Sequence, residues 1–188
     1  MKHSFLNPRH IAGVLATAFF FLIPLIGHCA LSLPAIFSDG AVLQCRKPLK
    51  IWGGAAPSEE VTVKLAGQTK TAKANADGVW SVELAAMEPG GPFDLTVEAG
   101  GAQLTRHDLL AGEVWLLSGQ SNMELSMGST DGGNEAAAVA NDPRIRFFAI
   151  ERHASATPER DVTGLWEKCN PDSTYVFSAI GYYFARRL

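Results

Sequence analysis

The hydrophobic pattern changes period once, near residue 113, and that change restricts the fold more than any other feature. From 31 to 112 the apolar residues alternate in short runs: "AVLQ", "LKIWG", "EVTVKLAG", "QTKTAKA", "VWSVEL", "FDLTVEAG" and "AQLTRHDL". Alternation with period two, broken by turn-rich stretches such as "AAPSEE", "NADGVW" and "MEPGGP", is the signature of half-buried β-strands. Val61, Val63 and Leu65 share one face, as do Trp80, Val82 and Leu84. No helical period interrupts the series, so residues 31–112 are expected to form a small all-β sandwich. The pair Asp77-Gly78 accepts the positive φ values of a two-residue turn, which predicts that "TKTAKA" pairs with "VWSVEL" as a hairpin.

After Glu113 the alternation stops. "EVWLLS" is almost continuously apolar, as expected of a strand buried on both faces of a parallel sheet. "NEAAAVAN" reads as an Ala-rich helix with Asn134 at its N-cap and Pro143 beyond its end; "RIRFFAIE" reads as a second strand. "TYVFSAIGYYFARRL" carries Phe177, Ile180, Phe184 and Leu188 at helical spacing. Strand, helix, strand, helix is the opening of an α/β layer, and two strands are too few to close one. The apolar stripe ends at Leu188 without a cap, so residues 113–188 are expected to be an incomplete domain of a truncated chain.

The first 30 residues read differently again. Lys2 and Arg9 precede the uncharged run "IAGVLATAFFFLIPLIG", then small residues, the order of a secretory signal peptide. The expected location is exported, periplasmic or secreted, with no membrane attachment after cleavage. Of the chain's 16 basic and 19 acidic residues, the leader holds two basic and no acidic ones, which leaves the remainder at −5. A mildly acidic surface gives no electrostatic reason to bind nucleic acid. Cys45 and Cys169, the two cysteines beyond the leader, are expected to be small buried hydrophobes. No Cys/His cluster has metal-ligand spacing, so neither a metal nor a cofactor is expected.

The chemistry concentrates in "VWLLSGQSNMELSM", residues 114–127. A buried parallel strand ending in Ser-Gly-Gln-Ser-Asn delivers its last residues to the carboxyl edge of the sheet, where ligands of open α/β sheets bind. Ser121 then points its hydroxyl at solvent with its own N–H beside it, one donor of an oxyanion site. Gln120 and Asn122 carry amides that hydrogen-bond a substrate or brace the loop. The G-x-S-x-G elbow fails because Met123 stands at the second glycine position, and the Gly-Lys-Ser/Thr ending of a phosphate loop is absent. On residue chemistry alone, an ordinary Ser- and Asn-rich turn accounts for the stretch equally well.

"GEVWLLSGQSNMELSM" resembles the first conserved block of the sialate O-acetylesterase family, a branch of the SGNH-type carbohydrate esterases. "LPAIFSDGAVLQ", "IWGGAAPSEEVTVKL", "DGVWSVEL" and "GGPFDLTVEAGG" resemble the β-domain that precedes that block in bacterial members, and "LWEKCNPDSTYVFSAIGYYFARRL" resembles the segment after the second strand. The resemblance implies a mixed fold, a sandwich followed by the start of an SGNH-like α/β esterase domain. It also implies Ser121 as nucleophile and an O-acetylated sialic acid or other acetylated glycan as substrate. The family's His base and its Asp lie near the end of a much longer chain, and no residue here matches them. His107 and His153 read as surface residues, and Trp52, Trp80 and Trp115 as core residues in strand interiors. The competing reading is a non-catalytic carbohydrate-binding or structural β-sandwich fragment.

Overall fold

The computed structural model describes residues 30–188; the signal peptide expected at 1–30 lies, but for Ala30, outside them. The strands are β1 (Val42–Gln44), β2 (Leu49–Gly54), β3 (Glu60–Leu65), β4 (Gln68–Lys73), β5 (Val79–Leu84), β6 (Gly90–Ala99), β7 (Ala102–Gly112), β8 (Asp142–Phe148) and β9 (Trp166–Cys169). The helices are short: α1 (Ser121–Glu124), α2 (Gly133–Ala138), α3 (Pro171–Val176) and α4 (Ala179–Ala185). The fold is mixed α/β but mostly strand, its main sheet mixed in direction and curled like a half-barrel. That sheet runs β1-β7-β6-β3-β4, with β1 parallel to β7 and the other pairs antiparallel. The strands β2 and β5 form a separate antiparallel pair.

Period-two burial builds one core between these layers. Val61, Val63 and Leu65 of β3 and Trp80, Val82 and Leu84 of β5 are all buried, joined by Ile51, Leu95, Val97 and Leu109. Each such side chain contributes about 1.5–3 kcal/mol when removed from water. Cys45 lies in this core and Cys169 in a second, smaller one, both as free thiols.

The pairing of β4 differs from the sequence expectation. It pairs with β3, in register Leu65↔Gln68 to Glu60↔Lys73, and β5 pairs with β2. The two-residue turn is Ala66-Gly67, at φ 48° and 76°, the double positive φ of a type I′ hairpin. At Asp77-Gly78 only Gly78 has positive φ. There the Asn75 side chain accepts N–H groups from Asp77 (3.0 Å) and Val79 (2.9 Å), an Asx turn that carries the chain out of one sheet and into the other.

The second half departs further. Residues 113–118 form no strand; β7 ends at Gly112 and the chain continues without regular structure to Gln120. A parallel strand exists only through its neighbours, and among the described residues none flanks this stretch. The strand at "RIRFFAIE" is β8, and it pairs antiparallel with β9, not in a parallel layer. The helix at 134–141 is α2, capped by Gly132 in the left-handed region; Asn134 sits inside it. The expected C-terminal helix is two helices. Asn170 closes a capping box at the start of α3, accepting from the N–H groups of Asp172 and Ser173. Phe177 then leaves helical geometry at ψ 165°, and Ser178 caps α4. The break frees Phe177 to stack on Phe147, ring centroids 4.2 Å apart, within the smaller core of Met127, Ala137, Ala140, Ala179 and Tyr182.

Polar contacts tie the two halves together. In β7 the pairing slips between Phe93↔Leu109 and Leu95↔Arg106, so His107 and Asp108 share the place opposite Asp94. This bulge, with Asp108 at φ 61°, aims the Asp108 carboxylate at Arg146 of β8 (3.1 and 3.3 Å) and Lys168 of β9 (2.8 Å). The Arg146 side chain is 3% exposed and also donates to the carbonyls of Gly40 (3.1 Å) and Pro143 (2.7 Å). The loop between β8 and β9 returns to the β core: the Trp52 indole donates to the Arg160 carbonyl, and the Ala35 N–H to Asp161.

Candidate active site

Ser121 is the first residue of α1, with Gln120 as N-cap. The N–H groups of Met123 (2.9 Å) and Glu124 (3.2 Å) return to the Gln120 carbonyl and close the single turn. The amides of Ser121 and Asn122 are the first two of the helix and have no acceptor within it. Gly119 packs closely under this turn: a methyl group there would lie 3.2 Å from the Met123 Cβ, tighter than ordinary contact. Its φ is not in the left-handed region, so its value here is space, not backbone freedom.

The turn is held from below. Ala179 N–H donates to the Leu125 carbonyl and Met127 N–H to the Phe177 carbonyl, both at 2.9 Å, so residues 125–127 lie against the break between α3 and α4. Buried Met127 anchors the next turn in the smaller core. On the outer side Glu124 forms an ion pair with Arg152 of the long β8–β9 loop.

Ser121, Gln120 and Asn122 are all exposed and adjacent, and among the described residues none of their side chains makes a hydrogen bond. The expected carboxyl edge of a parallel sheet is not what presents them; an irregular segment leading into one helical turn does. No histidine among the described residues hydrogen-bonds Ser121. His107 is exposed on β7, its Nδ1 3.0 Å from the Asp94 carboxylate, and His153 is exposed in the β8–β9 loop. Trp80 and Trp52 pack with the β core, Trp52 edge-on to Phe37. Trp115 does not: it is 56% exposed and meets Phe184 edge-on at 5.1 Å. The sequence reading missed Arg152 beside Glu124 and the Asp108–Arg146–Lys168 cluster, because pairing between residues so far apart leaves no local signal.

The Asp108 carboxyl is held below the ordinary carboxylate range, first by its hydrogen bond from Arg146 and then by that from Lys168. Asp142 is lowered in the same way by Arg144. Both belong to the scaffold. An exposed hydroxyl beside two unpaired helix amides is a geometry that suits nucleophilic attack on an ester, provided a base takes the serine proton.

No protein-family model matches the chain. It is 32% identical to the sialate O-acetylesterase of Mus musculus, over 73% of this chain and 29% of that protein. Against the human sialate O-acetylesterase it is 42% identical over 41% of this chain and 17% of that protein. Among solved structures it is similar to a carbohydrate acetylesterase from Xanthomonas citri, with 39% identity and a TM-score of 0.82 over 84% of this chain and 37% of that one. The chain thus spans under a third of the mouse relative's length. Over that N-terminal part it is homologous to the sialate O-acetylesterases.

Proposed function

We propose that this chain supplies the nucleophile-bearing part of a carbohydrate O-acetylesterase that removes acetyl groups from sialic acids or related glycans. The division that goes with this reading is a leader at 1–30, a β-sandwich over 31–112 and the start of an SGNH-like esterase domain over 113–188, in an exported protein. Ser121 attacks the acetyl carbonyl and the sugar hydroxyl leaves; water then hydrolyses the acetyl-enzyme. The Ser121 N–H, with the Gln120 amide, stabilises the oxyanion, and Asn122 orients the sugar. The observation that carries the reading is the exposed, unpartnered Ser121 hydroxyl at the start of α1, in a chain homologous to these esterases.

The base is assigned to polypeptide of the kind that the longer relatives carry beyond the matched part. The test is therefore a chimera: residues 1–188 followed by the part of the Xanthomonas citri acetylesterase that lies beyond the match. Acetate release from an O-acetylated sialic acid and from an acetylated neutral polysaccharide is measured for the chimera and its Ser121→Ala variant. Loss of a serine nucleophile costs on the order of 10⁶ in turnover. Parental turnover in the Ala variant refutes Ser121 as nucleophile; turnover on the neutral polysaccharide alone refutes the sialate assignment.

A further inference from the structure

The long segment between β8 and β9 opens from a closed neck. Glu151 N–H donates to the Thr163 carbonyl at 2.9 Å. Next to that bond Gly164 runs so close to Ala149 that a methyl group on it would lie 2.7 Å from both the Ala149 carbonyl oxygen and the Phe148 ring. Arg152 is the first residue beyond Glu151, so its placement is set by the neck and not by the tip of the loop. From there its guanidinium reaches Glu124 at the end of α1. Ser121 and Glu124 are the first and last residues of that single turn, a spacing that puts two side chains on one helix face with Cβ atoms about 5–6 Å apart. A cation from a distant part of the chain therefore stands beside the proposed nucleophile.

An exposed ion pair adds little to folding, but the charge balance of this one bears on what can approach Ser121. Alone, the Glu124 carboxylate would repel any anion brought to the turn. Arg152 cancels that charge and has donors to spare. Its guanidinium carries five N–H groups in a planar fork that matches a carboxylate, and even a two-pronged contact with Glu124 leaves the others free. The side chain is 82% exposed, so those donors face solvent. We infer that Arg152 is a specificity-determining residue, which binds the carboxylate of an acidic sugar while the acetyl ester of that sugar lies at Ser121, with Glu124 holding the guanidinium in place. The inference rests on the reading of α1 as the reactive turn. It narrows the substrate class to acetylated sugar acids, sialic or uronic, over neutral glycans.

The test is a cycle that removes the guanidinium and the carboxylate separately and together. The ligands are an O-acetylated sialic acid and its carboxyl methyl ester, and an O-acetylated oligogalacturonide and its methyl ester. Binding of each to the 188-residue chain is followed by nuclear magnetic resonance titration. Acetate release from each by the chimera described above is measured as kcat and KM. Both are done for the wild type and for Arg152→Gln, whose circular dichroism should be unchanged because the side chain is exposed. The wild type should favour one acid over its methyl ester by about tenfold or more in Kd or KM, and Arg152→Gln should abolish that preference. The acid that shows it, sialic or galacturonic, is the source of the carboxylate. An Arg152-dependent preference below about twofold on both sugars and in both measurements overturns the inference. Equal weakening of acid and ester also overturns it, since Arg152 is then only a structural part of the loop. An Arg152-dependent preference in binding, with acetate release that does not depend on Ser121, upholds the carboxylate site and rejects Ser121 as nucleophile.

Discussion

Replacing Asp108 by Asn tests what the bulge in β7 contributes. Asp108 sits at φ 61°, a conformation Asn tolerates about as well as Asp, so the substitution removes charge with little backbone cost. The loss takes the countercharge and one of two acceptor oxygens from the Arg146 guanidinium, 3% exposed, which keeps the Gly40 and Pro143 carbonyls and at most the single amide oxygen of the new Asn as acceptors. Stripping one partner from a fully buried ion pair costs about 3–5 kcal/mol. Here the carboxylate is 35% exposed and partly screened by solvent, which brings the expected loss down to about 1–2 kcal/mol. In a domain of this size that is a fall in Tm of about 2–8 °C. The pH dependence carries the sharper signature. Because the folded pKa of Asp108 is lowered, its contribution is complete above the unfolded value of about 3.9 and is lost as pH falls through the folded one. Urea unfolding at pH 7 should therefore separate the two proteins, and the gap should narrow as pH falls below about 3.9 and go on closing through the lowered folded value, where the wild-type carboxyl takes up its proton. Asp142 titrates in the same direction but is present in both proteins and cancels. A gap of equal size at pH 7 and in acid, or none at pH 7, would refute the electrostatic account.

Trp80 fills the β core at 1% exposure, and its indole N–H has no partner among the described residues. Trp80→Ala should cost about 3–5 kcal/mol by denaturant unfolding, whereas Trp80→Phe, which removes the unpaired donor, should cost less than about 1.5 kcal/mol. Gly53 runs so close to the Ser32 carbonyl and the Trp80 ring that a methyl group would collide with both; Gly53→Ala should lower stability by about 1–3 kcal/mol in the same assay. Ser121→Ala removes an exposed hydroxyl and should shift stability by no more than about 0.5 kcal/mol. The 188-residue chain by itself, with no histidine among the described residues bonded to Ser121, should release acetate from an O-acetylated sialic acid no faster than that Ala variant.

Strand positions and core faces were legible because period-two alternation needs only neighbouring residues: Val61, Val63 and Leu65 point inward, as do Trp80, Val82 and Leu84. Pairing was not legible in the same way. Asp77-Gly78 is the stronger turn signal on paper, yet the two-residue hairpin forms at Ala66-Gly67, where a β3–β4 ladder compensates the unfavourable φ at Ala66. Residues 113–118 misled for the opposite reason. Their composition describes the environment of a sheet interior, and a strand assignment holds only when that environment is present. The helix break at Phe177 depends on a ring stack with Phe147, thirty positions away in the chain, which no local pattern announces. Of the candidate site, the run Gln120–Asn122 was readable as a small polar cluster at the end of an apolar segment; the packing of Gly119 against Met123 and the Glu124–Arg152 contact were not.

The loop between β8 and β9 is long in sequence but short in the sense that matters to polymer entropy. Glu151 N–H bonds the Thr163 carbonyl, Arg160 and Asp161 hold the Trp52 indole and the Ala35 N–H, and Arg152 reaches Glu124. The unanchored span shrinks to roughly residues 153–159. The cost of closing a loop rises only with the logarithm of its free length. Insertions between His153 and Glu159 should thus be nearly free, which leaves that tip open to divergence among related chains. Residues 160–163 have no such latitude, since each tether they hold also sets how far the tip can reach over α1.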